Sequence, residues 1–101
     1  MRKCISDMKS LTLNSCKEET MQMCKLKGWD NVSIPHIWMF LTEEIGELAS
    51  AIRRSSNQFS DRKKSNVENE LMDVMSYLFQ IAHMHNIDLD KAWDKYSTRK
   101  T

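Results

Sequence analysis

The scarcity of turn residues is the feature of this sequence that most restricts its fold. Two Gly and one Pro occur in 101 residues, whereas an all-β fold needs a turn, usually with Gly or Pro, about every 8–12 residues. Eight methionines and many leucine, glutamate and lysine residues favour helices instead. A chain this short buries only about 60–70% of its unfolded surface. The sequence therefore predicts an all-α four-helix domain that completes its core by oligomerising.

Charge and composition exclude several classes of partner. Fifteen Lys and Arg against fourteen Asp and Glu give a net charge of +1, which argues against binding to a nucleic-acid polymer. No apolar run approaches the roughly 18 residues that a membrane span needs, and no secretory leader is evident at the N-terminus. Cys4, Cys16 and Cys24 are odd in number and lack C-x-x-C spacing. They predict reduced thiols in a cytoplasmic protein, not a disulfide framework or a zinc site.

Apolar periodicity predicts one domain of four helices after a flexible tail. The tail covers residues 1–9 and the domain residues 10–101. The helices are expected over residues 10–27, 34–54, 66–85 and 89–98. A polar surface loop, residues 55–64, separates the second helix from the third.

Capping residues mark the predicted helix ends. Gly28 follows the first helix, where a C-terminal glycine belongs, and Asn86 is a left-handed terminator for the third. Ser65 and Glu68 form a predicted capping box, and Asp88 can cap the fourth helix. The second helix carries one apolar stripe, which is expected to be core and includes Trp38. The stripe consists of Ile34, Ile37, Trp38, Leu41, Ile45, Leu48 and Ile52.

Two acidic pairs carry the chemistry. Glu44 and Glu47 lie three residues apart on the second helix, and Glu70 and Asp73 do so on the third. That spacing puts both members of a pair on one helix face. A short loop makes the two helices antiparallel neighbours, so four carboxylates are expected to converge. Because they would repel one another, a hard divalent cation with oxygen ligands, Mg²⁺ or Mn²⁺, and a phosphate-bearing substrate are the natural partners.

Two other interpretations of these acids remain open at this point. Glutamates at such spacing are common on solvated helices, and each pair alone is a weak signal. Di-iron bundles use Glu-x-x-His on two helices, but here Glu47 is followed three residues later by Ser50 and Glu70 by Asp73. The all-carboxylate set favours Mg²⁺ or Mn²⁺ over iron.

The motifs resemble a known family. Glu44-Ile45-Gly46-Glu47 and Glu70-Leu71-Met72-Asp73, separated by 22 residues, are similar to the E-x-x-E and E-x-x-D signature of the MazG-like all-α NTP pyrophosphohydrolases. The resemblance covers about residues 20–95 and is nearest to the short single-domain branch that includes dCTP pyrophosphatases and phage or integron MazG proteins.

The resemblance implies an activity and a set of ligands. It implies hydrolysis of a (deoxy)nucleoside triphosphate between the α- and β-phosphates, to a monophosphate and pyrophosphate, in nucleotide-pool house-cleaning. It implies Mg²⁺ held by Glu44, Glu47, Glu70 and Asp73. One carboxylate, Glu47 or the adjacent Glu43, is the candidate to orient or deprotonate the attacking water.

Similar enzymes also suggest how substrate is bound. An aromatic residue at the position of Trp29 stacks on the base, and a tyrosine at the position of Tyr77 lines the pocket. Arg54 is a candidate for phosphate contacts, and Lys95 is a candidate for contacts with the phosphates or the sugar. The chain departs from the dCTP-type pattern at both, because an aromatic residue is expected near Arg54 and an Asn after Lys95.

The sequence also predicts an oligomer and leaves two rival functions open. A homodimer or a dimer of dimers is predicted. The rival functions are a non-catalytic helical interaction module, whose acidic face docks a basic partner, and a related phosphohydrolase that acts on nucleoside diphosphates.

Overall fold

The computed structural model describes residues 11–56 and 66–99, and within those ranges it contains four α-helices and no strand. This confirms the predicted all-α class. The helices are α1 (Leu13–Leu26), α2 (Ile34–Ser55), α3 (Val67–Met84) and α4 (Leu89–Arg99). The predicted N-terminal tail, residues 1–9, and most of the predicted 55–64 loop lie outside the described residues. No helix in the described ranges has the length and apolarity to cross a membrane.

Helix α1 is bounded at both ends by local hydrogen bonds. At its start the Thr12 and Ser15 side chains each accept from the other's backbone N–H, at 3.0 and 2.8 Å. The helix therefore begins later than the predicted residue 10. At its end Gly28, with φ +75°, donates to the Lys25 carbonyl, and Trp29 donates to the Cys24 carbonyl at 2.8 Å. This Schellman motif fixes where Trp29 leaves the helix.

Helix α3 uses an asparagine at each end. The Asn66 side chain accepts from the Asn69 N–H at 3.1 Å, so Asn66 is the N-cap. The predicted capping box was wrong by one residue, since its Ser65 precedes that cap and lies outside the described residues. Asn86 has φ 55° and ends the helix, as predicted. The asparagine side chain tolerates this left-handed conformation better than most others do.

Helix α4 docks on α1 through paired helix N-termini. The Asn14 amide donates to the Asp88 carboxylate and accepts from the Leu89 N–H, both at 2.8 Å. The Leu13 N–H donates to Asp90 Oδ1 at 3.1 Å. Two hydrogen bonds lower the pKa of Asp88. The bond from the Asn14 amide has the larger effect, and the bond from the Lys91 N–H has the next largest. The predicted Asp88 cap is confirmed by the Lys91 N–H bond.

The core lies where α3 packs against both α2 and α1. Its buried apolar residues are Cys24, Ile37, Leu41, Ala51, Phe79 and Ala82. Burial, then the nearby Asp30 carboxylate, raise the pKa of the Cys24 thiol, so it stays protonated. Cys16 and Cys24 are free thiols, and Cys4 lies outside the described residues.

The apolar stripe of α2 is only partly buried, which corrects the prediction that Trp38 is core. Trp38 is 60% exposed. Ile34, Ile45 and Ile52 are also exposed, and at about 100° per residue they lie with Trp38 on one narrow face of the helix. The stripe is wider than α3 can cover, so the part of the chain that the structure describes leaves one edge of it in solvent.

Candidate active site

Helices α2 and α3 bring the two acidic motifs together. The rings of Phe40 and Tyr77 are in contact, with centroids 6.0 Å apart. One turn further along α2, Glu44 lies beside Glu70 and Asp73. From Phe40 to Glu44 the chain runs forward along α2, while the residues opposite them on α3 run backward from Tyr77 to Asp73. The two helices are therefore antiparallel, as predicted.

Three carboxylates form a compact cluster across this seam. Glu44, Glu70 and Asp73 each offer one oxygen, and these oxygens all lie within 4.8 Å of one another. Glu44 and Glu70 are half-buried, whereas Asp73 is exposed. We refer to these three residues as the acidic cluster.

The electrostatics of the acidic cluster favour a bound cation. Burial raises the pKa of the Glu44 carboxyl first, and the negative charges of Asp73 and Glu70 raise it further. A hydrogen bond with Glu70 and the charge of Glu47 act in the same direction. A divalent cation would remove this repulsion, and oxygen-only donors suit a hard ion such as Mg²⁺. The chemistry of the donors therefore fits the metal that the sequence predicts.

The two other predicted acids lie nearby but outside the acidic cluster. Glu47 is exposed, one turn after Glu44, and is close enough for its charge to raise the pKa of Glu44. Glu43 is also exposed, and its charge contributes to raising the pKa of Tyr77. The roles of Glu47 as a ligand and of either residue as a base stay predictions.

A cavity of about 490 Å³ opens beside the acidic cluster. Glu44 and Asp73 line one end, and Trp29, Phe40 and Tyr77 are among the residues that line the rest. Among the described residues, those that line the cavity are Trp29, Val32, Ile37, Phe40, Glu44, Asp73, Ser76, Tyr77 and Gln80. The cavity therefore combines a negative end, suited to a metal, with aromatic walls, suited to a planar ring.

Tyr77 connects the two parts of the cavity. Burial raises the pKa of its phenol first, and the negative charges of Glu44 and Asp73 follow. The phenol therefore stays neutral at physiological pH and can donate a hydrogen bond. Trp29 remains 56% exposed, and the Lys27 ammonium lies 4.8 Å from the centre of its ring. An exposed indole at the edge of a cavity is available for stacking.

Arg54 and Lys95, the other predicted substrate contacts, do not line this cavity. Arg54 is half-buried near the end of α2, where its guanidinium donates to the Ser50 hydroxyl at 2.7 Å. Lys95 lines a separate cavity of about 470 Å³ along α4, with Lys91 and Arg99. Of the four predicted substrate contacts, the structure brings Trp29 and Tyr77 into the cavity beside the acidic cluster.

Sequence reasoning missed two polar residues in the cavity wall, Ser76 and Gln80. They follow Asp73 by three and seven residues and so lie on its face of α3. That spacing was a usable signal. Neither residue type suggests catalysis by itself, unlike the acids and the tyrosine.

Comparison with known proteins identifies the domain that carries this site. Residues 34–101 match the family model of the MazG nucleotide pyrophosphohydrolase domain. The matched segment contains α2, α3 and α4 with the whole acidic cluster, whereas Trp29 precedes it. Comparison with curated proteins and with solved structures gives no significant match. Because the family match spans more than half of the chain and its helices carry the acidic cluster, the chain belongs to the MazG nucleotide pyrophosphohydrolase family.

Proposed function

We propose that this protein hydrolyses (deoxy)nucleoside triphosphates between the α- and β-phosphates, with Mg²⁺ as its cofactor and Mn²⁺ as a substitute. The observation that carries the proposal is that the acids and the aromatic residues share one cavity. Glu44 and Asp73 lie at one end of it, and Trp29 and Tyr77 are among the residues that line the rest. A nucleoside triphosphate has two matching parts, a polyanionic triphosphate for the metal-binding end and a planar base for the aromatic walls. House-cleaning of the nucleotide pool is the role that this activity serves.

The acidic cluster supplies the metal ligands in this proposal. Glu44, Glu70 and Asp73 would hold the cation, and exposed Glu47 would join them as a fourth ligand. A bound Mg²⁺ neutralises the triphosphate and withdraws charge from the leaving pyrophosphate. The family is generally metal-dependent. The negative charges of Asp73 and Glu70 add to burial in raising the pKa of Glu44, which supports a cation at this position.

The remaining residues position substrate and move a proton. Trp29 stacks on the base at the cavity edge, and the neutral phenol of Tyr77 donates a hydrogen bond to the sugar or the α-phosphate. A water molecule attacks the α-phosphorus, the bond to the bridging oxygen breaks, and pyrophosphate leaves. Glu47 or Glu43 accepts the proton of that water. Their exposure keeps them in contact with solvent.

Oligomerisation completes the proposal. Exposed apolar side chains on one face of α2, among them Trp38 and Ile45, need a cover. We propose a second copy of this chain as that cover, in a homodimer or a dimer of dimers. Arg54 and Lys95, which lie away from the cavity within one chain, would then contact the phosphates of a substrate bound by a neighbouring subunit.

Product identification tests the proposed function. The purified protein is incubated with Mg²⁺ and a panel of canonical and modified nucleoside di- and triphosphates, and products are resolved by ³¹P NMR. Monophosphate and pyrophosphate are expected from triphosphates. Asp73→Asn should abolish turnover without loss of helicity, whereas Glu68→Gln, an exposed acid on the same helix, should retain it.

Other products would point to the rival functions. Cleavage of diphosphates alone would replace the proposal with a nucleoside-diphosphate hydrolase. Orthophosphate released from triphosphates would contradict the bond assigned here. Absence of turnover on the whole panel would leave the non-catalytic interaction module.

A further inference from the structure

Gln80 is a buried polar side chain in the wall of the cavity. It is 5% exposed and is the one buried polar residue in the ranges that the structure describes. Burial of a carboxamide is unfavourable unless its hydrogen-bonding groups find partners. The buried carboxamide of Gln80 therefore requires hydrogen-bond partners.

The protein satisfies little of the hydrogen-bonding capacity of Gln80. Its amide nitrogen donates to the Ser76 hydroxyl at 3.3 Å, near the upper limit for such a bond, and no other hydrogen bond joins it to the described residues. A carboxamide offers two N–H donors and two acceptor sites. Most of that capacity is left for a molecule in the cavity, which both Gln80 and Ser76 line.

The distance of Gln80 from the acidic cluster matches the length of a nucleoside. Asp73 and Gln80 lie on the same face of α3, seven residues apart, which is about 10 Å along the helix axis. Tyr77 lies between them and contacts Phe40 on α2. With its phosphates at the acidic cluster, a nucleotide that extends along this wall brings its base to Gln80.

The chemistry of Gln80 suits the edge of a base. Each nucleobase carries ring nitrogens beside amino or keto groups, and a carboxamide can match such an edge because it is donor and acceptor at once. We propose that Gln80, supported by Ser76, is a specificity-determining residue that hydrogen-bonds the edge of the nucleobase. This inference rests on the proposed function, because it takes the phosphates to lie at the acidic cluster.

Two near-isosteric variants test the assignment. Gln80→Met keeps the side-chain length and removes the hydrogen bonds, so kcat/KM for the preferred base should fall about 10- to 100-fold. Gln80→Glu removes both N–H donors and leaves only acceptors, so the contact to the keto oxygen of uracil or to the ring nitrogen of cytosine is lost. Because these two contacts differ, the cytosine-to-uracil ratio of kcat/KM should change at least about tenfold. Gln22→Met, at an exposed position on α1, is the matched control and should change neither quantity.

A third variant guards against effects on folding. Ser76→Ala removes the hydroxyl that accepts from the Gln80 amide and leaves a small residue with high helix propensity. It should change the ratio between bases while helicity and thermal midpoint stay near those of the unmodified protein. If all three substitutions change kcat/KM by one common factor for every base, or change it for none, the assignment is overturned.

Binding separates this inference from the proposed function. Calorimetric titration with cytidine and uridine monophosphates reports base recognition without hydrolysis. If triphosphates are cleaved but the variants leave the base ratios unchanged, the inference fails and the function stands. If monophosphates bind with a Gln80-dependent base preference but no triphosphate is cleaved, the function fails and the inference stands. Absence of both binding and cleavage contradicts both.

Discussion

The rings of Phe40 on α2 and Tyr77 on α3 lie 6.0 Å apart, with their planes inclined at 36°. This contact lies beside the acidic cluster and joins the two helices that carry it. Both residues line the cavity, so the same ring pair supports the fold and shapes the candidate site. Substitutions at the two positions should therefore have different consequences.

Removal of the Phe40 ring should mainly reduce stability. Phe40→Ala loses the ring contact and part of an apolar surface that is already partly exposed, so the free energy of unfolding should fall by about 1–2 kcal/mol. Urea denaturation followed by circular dichroism measures the loss. Tyr77→Phe is the matched variant, because it keeps the ring and should stay within about 1 kcal/mol. A larger loss in Tyr77→Phe than in Phe40→Ala would contradict this division.

Substitutions at the C-terminal ends of α1 and α3 should affect stability differently. Gly28 has φ +75°, where an added Cβ is strained even though nothing lies within 4 Å of it. Gly28→Ala should therefore destabilise the protein by about 1 kcal/mol. Asn86 has φ 55°, so Asn86→Gly should be neutral or stabilising by a few tenths of a kcal/mol. The denaturant midpoint should fall for Gly28→Ala and should stay the same or rise for Asn86→Gly, and equal shifts would refute the account of these helix ends.

The pKa of Glu44 predicts how stability depends on pH. Burial and the charges of Asp73 and Glu70 raise that pKa in the folded protein. Between the ordinary and the raised pKa, the folded state binds more protons than the unfolded state, so the contribution of Glu44 to stability falls as pH rises through this window. Thermal midpoints recorded across this window should show this effect without Mg²⁺ and lose most of it with Mg²⁺.

Glu44→Gln is the variant that isolates this effect. An amide carries no charge, so the repulsion in the acidic cluster should weaken and the thermal midpoint without metal should rise at neutral pH. Stabilisation by Mg²⁺ should shrink at the same time. Identical pH profiles for this variant and the unmodified protein would show that repulsion at Glu44 has no bearing on stability.

The exposed edge of the α2 stripe predicts an interface. Trp38 is 60% exposed and lies on the same helix face as Ile34 and Ile45. Trp38→Glu should place a charge in the interface and convert the assembly to monomers, as measured by sedimentation velocity. Gln22→Glu changes an exposed residue of α1 and should leave the assembly intact. A monomeric unmodified protein, or an unchanged assembly in Trp38→Glu, would contradict the proposed cover.

The sequence predicts the helices and the acids well because both depend on local spacing. Glu44, Glu70 and Asp73 could be placed together because helical periodicity assigns each a face and a short loop makes their helices neighbours. Asn86 is predictable as a helix terminator because left-handed conformations favour few residue types. These features follow from relations between residues that are close in sequence.

Features that depend on tertiary packing were not predictable in the same way. The burial of Trp38 depends on how much of the α2 stripe one neighbouring helix can cover, which periodicity does not specify. The cap of α3 could have been Ser65 or Asn66, since both residue types cap helices. The distance of Lys95 from the cavity follows from the docking of α4 on α1 through Asn14, a contact between residues far apart in sequence.

Location of the metal tests the account most directly. Crystals grown with Mn²⁺ and a non-hydrolysable triphosphate analogue would give an anomalous difference map that shows where the cation binds. The account predicts a peak bounded by the carboxylates of Glu44, Glu70 and Asp73, with the phosphates of the analogue beside it. A peak at another position, or an analogue bound away from these three residues, would contradict it.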